Sequence, residues 1–187
     1  VLGPDDPLPA LPDRILVAGV SGTGKTTLAR RIADALDLEH VEIDGLHWGA
    51  GWTPRPSFVA DVEALVVRDR WVTEWQYREV RERLAERAQL MVWLDPPVRV
   101  SMARVLRRTL RRRLRRERLW NGNVEPPLRT FLTDPDHVVR WAWRTRRTYR
   151  DLPALAAERH PHLVLVRLHS QAEVDRWMRA LSAAATR

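Results

Sequence analysis

The chemistry in this chain is concentrated first in one string, Gly19-Val20-Ser21-Gly22-Thr23-Gly24-Lys25-Thr26, which fits the pattern G-x-x-x-x-G-K-T. Its glycines can take backbone angles closed to other residues. Successive N–H groups can therefore turn inward around phosphate oxygens at the positive end of a following helix. Lys25 is the one lysine among 32 basic residues. A compact ammonium on a flexible stem suits the β- and γ-phosphates of a nucleotide, and a hydroxyl at Thr26 suits Mg2+. Gly19, Ser21, Gly22, Thr23, Gly24, Lys25, Thr26 and Thr27 are thus the expected contacts, with ATP and Mg2+ the expected cofactors.

Three acids fall where strands are expected to end: Asp44 on the second, Glu74 on the third and Asp95 on the fourth. A carboxylate across a crevice from the phosphate loop can take the proton of an attacking hydroxyl, which is the role expected of Asp44. Glu74 reads as an outer Mg2+ ligand or substrate holder. Asp95 precedes Pro96-Pro97 and reads as a helix cap, with a magnesium-side role as the alternative. His47 either assists Asp44 and substrate or is structural. Trp48, Trp52 and Trp75 sit near the expected crevice, where they would stack a base or sugar or simply pack a loop. Trp71, Trp93, Trp141, Trp143 and Trp177 fit core or helix packing.

From Arg104 to Arg118 the chain has nine arginines against one acid, Glu117, while Met102, Leu106, Leu110 and Leu114 keep a four-residue spacing. The pattern predicts a helix with a packed apolar stripe and a cationic face. Such a helix serves as a lid over ATP, as a grip on nucleic acid, or as a solvated surface. The lid is favoured over nucleic acid, and Arg104, Arg108, Arg111 and Arg115, on one face, are the expected phosphate-side residues. Arg144, Arg146, Arg147 and Arg150 form a second basic run that reads as a solvated face or a further patch.

The elements that must position these groups alternate. Arg14–Ala18 reads as a buried parallel strand running into the phosphate loop, and 26–36 has apolar residues at helical spacing. Further strands are expected at His40–Asp44, Trp71–Glu74, Gln89–Leu94 and Leu163–Leu168. Helices are expected around Phe58, Val62, Leu65 and Val66, around Val80 and Leu84, and around Val174, Trp177, Met178 and Leu181. The pattern predicts a three-layer α/β fold with five parallel strands and the site at their C-terminal ends. With 187 residues the chain fits one domain, 13–187, after a proline-rich leader at 1–12 that reads as flexible. The absence of cysteine excludes disulfides, zinc–thiolate sites and thiol nucleophiles. No apolar run is long enough to span a membrane and no signal pattern opens the chain, so a cytoplasmic location is expected.

Taken together, the phosphate loop, Glu42-Ile43-Asp44-Gly45-Leu46-His47-Trp48, Gly51-Trp52-Thr53-Pro54-Arg55-Pro56, Trp93-Leu94-Asp95 and Arg118-Leu119-Trp120-Asn121-Gly122-Asn123 resemble the adenylate-kinase-related P-loop proteins often labelled topology modulation proteins. The resemblance runs from about Arg14 to the final helix. It implies the nucleoside and nucleotide kinase fold, sheet order 2-3-1-4-5, and an arginine-bearing lid at about 104–125. Asp44, His47, Trp48, Trp52, Glu74 and Tyr77 are the expected acceptor-side residues, and by analogy with related kinases the turn after the last strand, with His169, Ser170 and Gln171, meets adenine. Where the family has acid-glycine-asparagine-tyrosine, this chain has Glu74-Trp75-Gln76-Tyr77, so the acceptor pocket is reshaped or activity is reduced. The expected activity is ATP- and Mg2+-dependent phosphoryl transfer to a small acceptor, a nucleoside or nucleoside monophosphate being the expected kind. The competing readings are a P-loop regulatory ATPase that binds nucleic acid or protein through its arginines, and an ATP-binding pseudoenzyme.

Overall fold

The computed structural model describes residues 1–115, 117–124, 138–146 and 149–186. Strand β1 (Arg14–Ala18) lies between β3 (Trp71–Glu74) and β4 (Leu90–Leu94), with β2 (His40–Val41) and β5 (Val164–Leu168) outside them. All pairings between these strands are parallel, in the order β2-β3-β1-β4-β5 that the sequence led us to expect. The residues of β3 and β4 are buried throughout, as strands covered on both faces must be.

The period-2 alternation divides these strands between two cores. Leu16, Ala18, Trp71, Met91 and Trp93 point to the face covered by α3 (Phe58–Val66), α4 (Arg81–Arg87) and α7 (Leu152–Arg159). Ile15, Val17, Val72, Leu90, Val92 and Leu94 meet α1 (Lys25–Leu36) and α8 (Gln171–Ala185) on the other. Each fully buried Leu, Ile or Val side chain contributes about 1.5–3 kcal/mol. The switch in strand order beside β1 opens a crevice at its C-terminal end, and the phosphate loop lies there.

Several elements differ from expectation. The second strand stops at Val41, and residues 43–47 turn into a short helix, α2 (Ile43–His47), because the Ile43 N–H is taken by the Glu74 carboxylate instead of a sheet partner. Asp44 therefore stands in the first turn of a helix and does not close a strand. The leader folds back onto the molecule. Leu2 donates to the Leu165 carbonyl at 2.7 Å and accepts from the Arg167 amide at 2.9 Å, pairing with the otherwise open edge of β5.

Helix α5 (Val98–Leu114) is present, but its apolar stripe faces outward: Leu106, Leu110 and Leu114 are 53, 47 and 75% exposed. The buried face carries Ser101, Val105 and Thr109, also spaced by four. Small side chains win because α5 packs on the glycine loop at backbone distance, where a leucine would not fit. Trp141 and Trp143, on α6 (Val138–Arg144), are 49 and 56% exposed and so are not core residues. Arg116, Arg147 and the last position of the expected lid, 125, lie outside the described residues.

Candidate active site

The phosphate loop begins where β1 ends. Gly19, Gly22 and Gly24 have φ of 147°, 82° and 101°, and a Cβ at Gly22 would meet the Ser101 carbonyl oxygen at 2.3 Å. Only glycine permits that approach. Thr23 pins the turn, its amide and hydroxyl both donating to the Val20 carbonyl. Helix α1 starts at Lys25 with no acidic residue in its first turn and no side-chain cap, so its N–H groups remain directed at the loop. The Lys25 ammonium bends back to the Val20 carbonyl at 3.3 Å. Burial draws its pKa below the ordinary lysine value, against the opposing charges of Asp44 and Glu74. Glycines, bare helix N-terminus and enclosed cation together fit a nucleotide's phosphates. Ser21 lies in this loop, and Thr27 is exposed on the first turn of α1.

Across the crevice, Asp44 is close enough to Lys25 for the two charges to act on each other. Its Oδ1 accepts from the Tyr77 hydroxyl at 2.6 Å and from the Gln76 amide, while Oδ2 accepts nothing among the described residues. Burial pushes the carboxyl above its usual range and Glu74 adds to that. The Tyr77 bond and the charges of Lys25 and Arg108 pull the other way. Tyr77 reaches this position from a left-handed backbone, φ 62°, an unfavourable angle for a bulky residue. Its ring stacks on His47 with centroids 3.9 Å apart, and Phe58 closes edge-on against both. His47 is thus a buried packing partner of Tyr77, and burial lowers its pKa below the ordinary histidine value.

Glu74, expected as an outer metal ligand, is buried behind Thr26. Its Oε2 accepts from the Ile43 amide at 3.1 Å, and its Oε1 lies 3.3 Å from His40 Nε2. Burial raises the carboxyl's pKa, but the bonds from His40 and the Ile43 amide, with a smaller contribution from the Thr26 side chain, outweigh it and hold the group below its usual value. Glu74 thus ties the end of β3 to the start of α2. No cluster of three or more His, Cys, Asp or Glu side chains suited to a metal occurs among the described residues. Mg2+ would rest on Thr26 and the nucleotide's own oxygens.

The four selected arginines separate into two pairs. Arg104 donates to the Thr23 carbonyl and to Gln171, both at 3.2 Å, and Arg108 lies 3.4 Å from the Ser21 hydroxyl. Arg111 instead reaches Glu117 at 3.8 Å, and Arg115, past the last turn of α5, is exposed. Ser170 caps α8 by accepting from the Glu173 amide, so its hydroxyl is already engaged. Gln171 meets the loop through Arg104. Asp95 neither caps α5 nor faces the phosphate loop's lysine: Arg167 holds it, and Pro97 takes the cap position.

Trp75 is 3% exposed within the core, its indole N–H donating to the Arg81 carbonyl, and is not a stacking surface. Trp48 and Trp52 do lie together, 5.7 Å apart, but their loop is also bonded to the segment after α5. Trp120 donates to Glu42 at 2.7 Å and covers Gly45. Asn123 bridges Gly49 and the Trp52 amide, Asn121 donates to the Trp48 carbonyl, and Trp52 Nε1 donates to Val124. The W-N-G-N string is therefore a latch over α2. Sequence reasoning missed this turn, and the signal that could have found it is the Asn-Gly dipeptide, with Asn121 and Gly122 at φ 54° and 78°. Gln76 and Arg81 carried no spacing signal and were not expected at the site.

This sheet order, the glycine loop on the central strand and the arginine-bearing helix against that loop decide the architecture. The chain has the P-loop kinase fold. Residues 15–96 match the family described as ATPase family associated with various cellular activities (AAA). Among solved structures, the P-loop kinase fold is shared with a gluconokinase from Sinorhizobium meliloti 1021, at 21% identity over 94% of this chain and 93% of that one, TM-score 0.54. It is shared as well with a shikimate kinase from Acinetobacter baumannii in complex with shikimate, at 19% identity over 93% of each chain, TM-score 0.55. A shikimate kinase from Bacteroides thetaiotaomicron aligns at 13% identity over 92% of this chain and 97% of that one, TM-score 0.53. No curated protein sequence matches the chain. Among the described residues no helix is long and apolar enough to cross a membrane.

Proposed function

We propose that this protein is an ATP- and Mg2+-dependent kinase that phosphorylates a small-molecule hydroxyl. The observation that carries the proposal is the Asp44 carboxylate near enough to Lys25 for the two charges to act on each other, with Oδ1 accepting from Tyr77 and Gln76 and Oδ2 left without a donor among the described residues. Similarity in fold to a gluconokinase and to shikimate kinases supports the same reading. ATP, when bound, supplies the γ-phosphoryl group. Lys25 and the loop amides hold its phosphates, and Thr26 offers its hydroxyl to Mg2+. Arg104 and Arg108 reach the loop from the opposite side and balance charge that develops on the transferring group. Asp44 Oδ2 accepts the acceptor's hydroxyl proton. Burial raises its pKa, which makes the carboxylate a stronger base than that of an exposed aspartate. Trp75 packs away in the core, so the loss of the family glycine is not itself an argument for a pseudoenzyme.

Acceptor-dependent ADP release, screened over nucleosides, nucleotides, sugars and sugar acids, tests this reading. Asp44→Asn should leave ATP binding unchanged and lower transfer by about a hundredfold or more, the scale of a lost general base. Near-normal transfer in that variant would remove Asp44 from the reaction.

A further inference from the structure

Helix α5 presents two unlike faces. Ser101, Val105 and Thr109 are buried on the side of the glycine loop, and Arg104 and Arg108 turn toward that loop. The outward face carries Leu106, Leu110 and Leu114 on successive turns, all exposed, as a stripe about 12 Å long. Arg99, Arg107 and Arg111 are exposed on the same side, and no acid occurs anywhere in Val98–Leu114. Helix α6 packs beside α5 and adds the exposed indoles of Trp141 and Trp143. Each indole lies under a guanidinium, Arg144 at 5.1 Å from the first ring centroid and Arg146 at 4.0 Å from the second.

Packing on the loop demands small residues inside α5, but it demands no leucine outside, where polar side chains would leave no apolar surface in water. Three leucines on consecutive turns form one patch, unlike apolar residues scattered singly over a surface. Whatever covers them must accept apolar side chains and cations on one face. A nucleic-acid backbone would engage the arginines and leave the leucines in water. A symmetric second copy would set the arginines against their own kind. An anionic bilayer surface takes both groups. The leucines enter the acyl boundary, the arginine stems lie along them with their guanidiniums at the lipid phosphates, and indoles favour the headgroup level. A formal net charge of +8 adds long-range attraction to such a surface. We propose that the outward face of α5 docks on an anionic phospholipid surface, lying in the interface without crossing it. The proposal is independent of the kinase reading, because the other face of the helix keeps Arg104 and Arg108 on the phosphate loop.

Flotation of the full chain with vesicles of phosphatidylcholine and phosphatidylglycerol in equal parts, beside vesicles of phosphatidylcholine alone, tests it at physiological salt. Binding to the anionic vesicles should be at least about tenfold tighter, since each arginine near an anionic surface contributes about fivefold. The double variant Leu110→Gln, Leu114→Gln should weaken that binding by about tenfold or more while Tm and ATP affinity hold, both positions being exposed. The double variant Arg99→Gln, Arg107→Gln should weaken it by about tenfold to thirtyfold. The chain has no cysteine, so Leu114→Cys can carry a single polarity-sensitive dye, whose emission should shift to the blue on anionic vesicles. The same dye at Ser182→Cys, near the C-terminal end of α8, should not shift. Equal binding to both kinds of vesicle, or to neither, overturns the proposal. So does anionic binding that the leucine variant leaves unchanged, with a dye at position 114 that stays in water, since the arginines would then grip any polyanion. Tighter binding to duplex DNA, insensitive to the leucine variant, would identify that grip as one for nucleic acid. Dimerisation that the leucine variant abolishes, without vesicle binding, would assign the stripe to a second copy and likewise overturn the proposal.

Discussion

Replacing Gly22 with alanine separates two demands that the phosphate loop makes on its glycines. Gly22 and Gly24 both have positive φ, 82° and 101°, so an L-residue at either incurs about 1–2 kcal/mol of left-handed strain. Their surroundings differ. A methyl at Gly22 would lie 2.3 Å from the Ser101 carbonyl oxygen and 2.6 Å from Val105 Cγ2, while at Gly24 the nearest atom is Arg104 Nη1 at 3.8 Å. The Ser101 contact is with helix backbone, which cannot swing aside, so Gly22→Ala adds about 1–3 kcal/mol of overpacking. The expected losses are about 2–5 kcal/mol for Gly22→Ala and about 1–2 kcal/mol for Gly24→Ala. In a chain of this size they correspond to falls in Tm of about 4–20 °C and 2–8 °C. Thermal unfolding followed by circular dichroism measures both. Displacing α5 also draws Arg104 and Arg108 away from Thr23 and Ser21, so ATP should recover less of the lost stability in Gly22→Ala than in Gly24→Ala. Equal losses, or a milder effect at Gly22, would show that the close approach of loop and helix does not hold.

Lys25→Ala should abolish ATP binding in a folded protein, and Lys25→Arg should fail too, because a planar fork does not fit where a point charge is enclosed; isothermal titration with ATP·Mg2+ measures both. Tyr77→Phe removes a bond that lowers the Asp44 pKa, so that pKa rises further. Asp44 must be ionised to accept a proton, so the acid limb of the pH profile of kcat/KM should move to higher pH, and an unmoved limb would exclude Asp44 as the base. Arg104→Ala and Arg108→Ala should lower turnover by about 10²–10³-fold, while Arg111→Ala and Arg115→Ala do little. Four equal small effects, with nucleic-acid affinity that collapses as salt rises, would favour the nucleic-acid grip.

The phosphate loop, the strand before it and the helix after it were legible because their physics is local: glycine torsions, a buried apolar run and helical spacing within twenty-odd residues. The sheet order followed from the resemblance, and the alternation of elements agreed with it. The structure bonds Tyr77 to Asp44 and brings Glu74 near enough to act on it, and these relations were not legible in the sequence. That Gln76 and Tyr77 fix one oxygen of Asp44, and that Glu74 accepts from the Ile43 amide, depends on bringing together residues 32, 33 and 31 positions apart in the chain. The arginine helix shows the limit most clearly. Its leucine spacing and its Ser101, Val105, Thr109 spacing are the same period, so sequence cannot say which turns inward. Only the approach of Gly22 decides it, because a glycine loop at backbone distance admits small side chains and turns the leucines to solvent. The same contact selects Arg104 and Arg108, one turn apart, to meet the loop.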